Sequence, residues 1–298
     1  MIQPTLRPVK DAELACATES SPALKFSLIL ATVGRTSELR RFLEHLQKQS
    51  HQCFELIIVD QNADDRLLPL IESYKSNFPI VHCKSAIGLS RARNVGLPFA
   101  SGDIVAYPDD DCWYSGDLLE RVAELFLENP SLDCITGRPA GSSAHGFHTA
   151  SGTVNKHNVF RRAISYTIFI RKRAAARVGK FDESLGLGTD SGKVAVEETD
   201  YLIRALSASC HIFYDAQLTV FHRDSLLVYD DVFIRRQYGS ALAFGYVLRK
   251  YKYPFWFVFY HWLRPFCGAC LALLTFRWRK ARYHFAALSG RVTGWLNA

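Results

Sequence analysis

The chain lacks most of what marks a secreted or membrane-embedded protein. Residues 1–24 have no long apolar core and carry Pro4, Pro8, Asp11, Glu13 and Glu19, so no secretory signal is expected and the segment reads as a loose tail. Within the apolar C-terminal region the uninterrupted runs are 255–260 and 266–276, each too short to cross a bilayer as a helix. Eight cysteines are present, but Cys267-Gly-Ala-Cys270 has no second pair to complete a zinc site. The others sit mostly in apolar surroundings, as free core thiols do, which fits a reducing, cytosolic compartment. The sequence shows no internal repeat, no low-complexity stretch and no strong triphosphate-binding loop.

What is present is a globular composition. Its 298 residues are 48% hydrophobic and 22% charged, enough for one large domain or a domain with an appendage. The formal charge of +7 suits nucleic acid, an anionic membrane surface or a phosphorylated substrate. Basic residues gather around the aromatic, apolar segment 255–276: Arg249, Lys250 and Lys252 before it, Arg277, Arg279, Lys280 and Arg282 after it. That placement disfavours nucleic acid and suggests an element lying in a membrane interface. A helical hairpin packed on the main domain and a single tilted span stay open as alternatives, the segment being interrupted by His261, Arg264 and Pro265.

Strand-like apolar runs alternate with helical periodicity along the first half. Phe26–Thr32 and Phe54–Val59 read as strands, the second closed by Asp60, with a helix between them on Leu39, Phe42, Leu43 and Leu46 and Thr36 or Ser37 as its cap. Helix over 65–76, strand at 80–83, helix over 90–100, strand to Pro108, helix over 115–128 and strand at 133–136 follow. Alternation of this kind, with runs apolar on both faces, predicts an α/β fold with a mostly parallel sheet flanked by helices, whose ligands bind at the carboxyl ends of strands. Residues 141–158 read as loops, 164–170 as a strand, 186–192 as a glycine-rich loop, and Glu197-Glu198-Thr199-Asp200 as the opening of a helix.

Asp109, Asp110 and Asp111 stand at one of those strand ends. Three adjacent carboxylates repel one another and resist desolvation, so a cation is expected among them unless the turn is simply solvated. Side chains alternate along an extended backbone, which puts Asp109 and Asp111 on one side and Asp110 on the other. A pair of carboxylates suits Mg²⁺ or Mn²⁺ with coordination positions left for phosphate.

Several motifs then fall in order: Thr32-Val-Gly-Arg35, Asp60, Gly88-Leu-Ser-Arg-Ala-Arg-Asn-Val-Gly96, Gly102-Asp103, the aspartate triplet, Gly179-Lys-Phe-Asp-Glu183, Glu197-Glu198-Thr199-Asp200 and Val220-Phe-His222. In this order they resemble the family 2 glycosyltransferases, inverting enzymes of the glycosyltransferase A-type fold, over roughly residues 25–225. The resemblance implies a catalytic domain over 25–232, with a nucleotide-sugar half at 25–138 and an acceptor half at 139–232; the composition beyond it reads as a basic, aromatic, helical membrane-associating element at 233–298. It implies that Asp60 reads the nucleotide base, that Thr32 and Arg35 line the nucleotide pocket, and that Arg93 and Asn94 lie near the diphosphate and ribose. It places Asp109 toward the ribose, with Asp110 beside it in the nucleotide-sugar site, and Asp111 on a Mn²⁺ or Mg²⁺ ion, Asp109 and His222 being further ligands. Glu198 falls near the catalytic base, Glu197 is the alternative and Asp200 the support.

Two departures stand out. Gly34 replaces a common Asn, and the base position is Glu in a doubled Glu-Glu where Asp is frequent. The Gln-x-x-Arg-Trp signature of processive members is absent, Arg235-Arg236-Gln237-Tyr238-Gly239 standing in the comparable region, which argues for transfer of a single sugar. The expectation is therefore an enzyme peripheral to the cytoplasmic face of the plasma membrane. It would move one sugar from a nucleoside diphosphate-sugar to a hydroxyl of a lipid-linked or cell-surface saccharide. A metal-dependent nucleotidyltransferase and a non-catalytic scaffold on the same fold are the rivals.

Overall fold

The computed structural model describes residues 23–144, 146–223 and 228–298. The loose tail expected over 1–24, and Cys16 with it, falls almost wholly outside the described residues. Two compact units divide the rest. One comprises 23–87, 91–181 and 201–223, the other 88–90, 182–200 and 228–298.

The first unit is built on strands β1 (Phe26–Thr32), β2 (Phe54–Asp60), β3 (Ile80–Lys84), β4 (Ile104–Ala106), β5 (Cys112–Trp113), β6 (Cys134–Pro139), β7 (Gly152–Thr153), β8 (Ile168–Arg171) and β9 (Ile212–His222). They follow the order β3-β2-β1-β4-β8-β6-β9-β5, with β7 pairing β9. The nucleotide half, β3-β2-β1-β4, is parallel throughout, and β8 runs antiparallel between β4 and β6. Every residue of β1 and β2 is buried, which is why both read as nearly continuous apolar runs. The 11-residue β9 instead alternates buried and more exposed positions, as a strand covered on one face does.

Helices α1 (Ser37–Leu46), α2 (Leu68–Tyr74), α3 (Leu89–Gly96), α4 (Leu118–Glu128), α5 (Lys172–Val178) and α6 (Glu197–Ser207) connect these strands. Leu39, Phe42, Leu43 and Leu46 form the buried stripe of α1 against the core. The expected cap is not made: Thr36 already has helical dihedrals, so its side chain does not fold back onto the first turn. Gly96 ends α3 where a Cβ would stand 2.5 Å from the Ile29 side chain and 3.1 Å from that of Val59, so only glycine lets the helix end settle on β1 and β2.

The segment read as a strand from 164 begins instead with a 3-10 turn, Ser165–Thr167. Thr167 closes it by donating both its amide (3.0 Å) and its hydroxyl (2.9 Å) to the Ile164 carbonyl. The alternation of small, aromatic and branched residues there looks like a strand, but local hydroxyl-to-backbone bonding wins.

The second unit carries α7 (Asp231–Lys250), α8 (Phe255–Leu274) and α9 (Trp278–Leu296). Helix α7 has the cap that α1 lacks, the Asp230 carboxylate accepting from the Phe233 amide at 2.7 Å. Helices α7 and α9 meet at glycines: a Cβ on Gly294 would lie 2.0 Å from the Leu242 carbonyl, and one on Gly245 would lie 2.1 Å from that of Arg291. Helix α8 runs unbroken for 20 residues through Pro265, where the sequence suggested an interruption. Proline there removes the amide that would serve the His261 carbonyl, and the Arg291 guanidinium of α9 donates to that carbonyl instead. Desolvation, with repulsion from Arg264, lowers the Arg291 pKa to about 10, so the donor stays charged at neutral pH.

Candidate functional site

Parallel pairing sets Thr32 level with Asp60 at the carboxyl ends of β1 and β2, and a bridge between Ala31 and Asp109 brings the triplet beside them. Crowding three carboxylates here requires compensation, and each aspartate receives it. Asp110 is buried and accepts from the Thr32 hydroxyl at 2.7 Å and the Arg35 guanidinium at 2.6 Å. Arg35 also reaches Asp111 at 2.6 Å. Asp109 pairs with Arg93 at 3.0 Å and faces the Ser165 hydroxyl at 3.4 Å. Arg93 is the largest of the fully buried side chains, 1% exposed, and lies over the Phe181 ring. A cation held that deep is positioned by the fold rather than by solvent.

His222 comes from the last residue of β9, paired across from Cys112 on β5. Its Nε2 lies 3.0 Å from Asp111, its Nδ1 is 2.9 Å from the Arg223 carbonyl, and Tyr166 stacks on its ring at 5.0 Å. A carbonyl and a carboxylate only accept, so Nδ1 donates to Arg223 and Nε2 donates to Asp111; a cation bound there would replace the Nε2 proton. One ligand atom from each of Asp109, Asp111 and His222 falls within 4.8 Å of the others. Asp109 and Asp111 converge, while Asp110 turns to Thr32 but shares Arg35 with Asp111: residues 110 and 111 form a turn, so the pleat alternation expected of an extended strand does not apply there. Two hard oxygens and one imidazole fit a borderline octahedral ion such as Mn²⁺, and fit Mg²⁺ less well because of the nitrogen.

The charges respond to these surroundings. Burial raises the Asp110 pKa and outweighs the Thr32 and Arg35 contacts. Burial also acts to raise Asp111, but His222 and Arg35 outweigh it and hold the carboxyl below its ordinary value. Desolvation would lower His222; the hydrogen bond and charge of Asp111 reverse that and raise it.

Asp60 is fully buried and already surrounded. Its oxygens accept from the Asn62 amide (2.8 Å) and side chain (2.7 Å), from His82 (3.2 Å) and from Lys84 (2.9 Å). Against its burial, these donors bring its pKa down to about 2. Asn62 in turn accepts from the Gly34 amide at 2.7 Å, fixing the loop after β1. Asn94 is buried, and its amide brackets Phe181, donating to its carbonyl (3.0 Å) and accepting from its N–H (2.7 Å). These two bonds fasten α3 to the chain at Phe181.

The second acidic group lies in the other unit. Glu197 is buried, Glu198 is partly exposed, and Asp200 is 0% exposed. Asp200 accepts from Lys250 at 2.7 Å and from the Tyr251 hydroxyl at 2.7 Å; Lys250 also binds Asp182 at 2.8 Å. Just before the helix, Val196 has φ +62°, a strained value for a branched residue. Gly186, with φ +98°, leaves the space in which Glu197 sits: a Cβ there would lie 3.3 Å from its carboxylate. Of the two glutamates, Glu198 is therefore the one presented outward.

Sequence reasoning missed Asn62, His82, Lys84, Ser165 and Tyr166. No chemical motif marks them, and only their register beside Asp60, Asp109 or His222 gives them meaning. Lys250 belongs by sequence to a basic flank, and the structure makes it the partner of two acids, Asp182 and the buried Asp200.

A model described as glycosyl transferase family 2 matches residues 27–184, more than half of the chain. An uncharacterized glycosyltransferase of Haemophilus influenzae is 29% identical over 109 residues, covering 37% of each chain. A PGL/p-HBAD biosynthesis glycosyltransferase of Mycobacterium tuberculosis is 28% identical over 149 residues, 47% of this chain and 58% of its own. The chain thus spans less than two thirds of these curated relatives. A mannosyltransferase from Pyrobaculum calidifontis, solved with GDP-Man and Mn²⁺, has a TM-score of 0.64 at 15% identity, covering 95% of this chain and 90% of its own. Staphylococcus aureus TarS 1–349, solved with UDP-GlcNAc, has a TM-score of 0.55 at 21% identity over 74% of this chain and 66% of its own. These likenesses establish the glycosyltransferase A-type fold, and the family match gives the chemistry its class: the chain belongs to glycosyl transferase family 2.

Proposed function

We propose that the protein is an inverting, metal-dependent transferase that moves one sugar from a nucleoside diphosphate-sugar to an acceptor hydroxyl. The observation that carries this reading is the convergence of Asp109, Asp111 and His222 at the carboxyl ends of the strands. The solved relatives that hold GDP-Man with Mn²⁺ and UDP-GlcNAc support the donor class.

Asp111, Asp109 and His222 would hold a divalent ion, which would supply Lewis-acid neutralisation of the diphosphate leaving group. The chain's residues do the rest. Arg35 and Arg93 add fixed positive charge beside the triplet, pre-arranged by Asp110 and Asp109 and needing no reorganisation as charge develops. Glu198, partly exposed at the start of α6, takes the acceptor proton, while Lys250 and Tyr251 hold Asp200 and so fix that first turn. One base and one leaving group give a single displacement and inversion at the anomeric carbon. The acceptor class we favour is a lipid-linked or cell-surface saccharide, met at the cytoplasmic face of a membrane; the apolar outer face of α8 supports that location.

Thermal-shift binding to a panel of nucleoside diphosphates, with and without Mn²⁺, tests the reading. A metal-dependent shift for one nucleotide, lost in Asp111→Ala, is expected. A shift with triphosphates alone would instead indicate a nucleotidyltransferase.

A further inference from the structure

The outer face of α8 is almost entirely apolar. Trp256, Phe259, Leu263, Phe266, Leu271 and Leu274 are 42–78% exposed, at spacings of three to five residues that keep them on one side of the helix. The opposite side, with Phe257, Val258, His261, Pro265, Ala269 and Ala272, is buried. Of the exposed face, Arg264 is the charged member, and it stands at the edge. An unbroken apolar strip about 30 Å long exceeds what a monomer leaves in water.

At the far end of the strip the α8–α9 turn is strained outward. Phe276 has φ +53° and is 77% exposed, and Trp278 is 62% exposed. Directly beside them lies an open cavity of about 480 Å³ lined by Tyr229, Arg277, Trp278, Arg279 and Lys280. Three cations and two amphipathic rings line it, and no acidic residue is among those lining residues. The nearby Arg282 is already paired with Asp231 at 2.9 Å.

We propose that this unit docks flat on an anionic bilayer, the outer face of α8 in the acyl boundary and the turn cavity around a phospholipid phosphate. The chemistry fits at both ends. Guanidinium groups match phosphate oxygens in pairs, and Trp and Tyr favour the headgroup level. The 20-residue helix is long enough to span, but its inner side is packed on α9, which carries Arg282 and Arg291. Spanning would draw those cations toward hydrocarbon, where charged side chains are costly, whereas lying flat leaves them at the protein side. The inference stands on geometry independent of sugar transfer.

Vesicle flotation with full-length protein tests it, using phosphatidylcholine alone and phosphatidylcholine mixed with phosphatidylglycerol. Binding at least tenfold tighter to the anionic vesicles is expected. The combined Arg277→Gln, Arg279→Gln and Lys280→Gln variant should lose roughly a hundredfold on anionic vesicles, about fivefold per cation removed. Trp256→Asp should lose binding to both vesicle types. Equal binding to both vesicle types, or none, overturns the proposal. So does a dimer in lipid-free buffer that Trp256→Asp dissolves, which would assign the strip to a second copy. Wild-type tryptophan emission gives a check that needs no variant: quenching by lipids brominated near the headgroup should exceed quenching by lipids brominated near the chain ends. The reverse order would overturn the flat orientation.

Discussion

Two groups of three acidic residues, Asp109 to Asp111 and the trio Glu197, Glu198 and Asp200, meet the same electrostatic problem differently. In the first, every carboxylate is compensated, two of them through a shared arginine: Arg93 for Asp109, Thr32 and Arg35 for Asp110, His222 and the same Arg35 for Asp111. Two of the three still converge with an imidazole on one point. In the second, Lys250 and Tyr251 secure Asp200 completely, Glu197 is buried against the glycine loop, and Glu198 is presented outward. The first arrangement gathers two carboxylates and an imidazole around one point, and the second leaves Glu198 the most exposed of its three carboxylates.

The sharpest way to break the comparison is Glu198→Gln. It should lower kcat by about two to four decades while the metal-dependent nucleotide shift persists; Glu197→Gln should fall well short of that in the same transfer assay. Asp111→Ala should cost about two to three decades and also abolish the nucleotide shift, which separates ligand holding from proton transfer. If both variants lost nucleotide binding equally, the two clusters would not have distinct roles.

Lys250→Met should destabilise by about 3 kcal/mol, because it strands the fully buried Asp200 beside Asp182. Adding Asp200→Asn should restore much of that loss in urea unfolding. The smallest effect concerns Asp60, a single carboxylate enclosed by its own donors. Its folded pKa is depressed to about 2, so its contribution is complete above the unfolded value of about 3.9 and fades as pH falls toward 2. Wild type should therefore lose more stability than Asp60→Asn between those two pH values, measured by acid-titrated thermal unfolding.

The parallel half of the fold was legible because β1 and β2 are buried on both faces and so carry nearly continuous apolar runs, interrupted by the buried Ser27 and Glu55. The triplet was legible as three carboxylates closing an apolar run; the turn at Asp110 and Asp111, which lets both share Arg35, was not. Lys250 was not, since its partner lies 50 positions away and a lysine at a helix end looks like surface charge. The turn at Ser165–Thr167 was hidden for another reason: a threonine hydroxyl competing for one carbonyl leaves no periodic trace. Asn94 matches a motif by identity, yet both ends of its amide engage one main-chain residue, a geometry invisible before α3 and Phe181 meet.

The proline in α8 has a consequence for the order of events during synthesis. The ribosome completes α8 well before Arg291 emerges, so for a time the His261 carbonyl has neither its own helical donor nor its substitute. Nascent α8 is then free to bend at Pro265, and its strip is not yet held straight. Only when the last helix arrives does the guanidinium close the gap and lock the rod. The straightness of the α8 strip thus depends on a donor from a helix made after it.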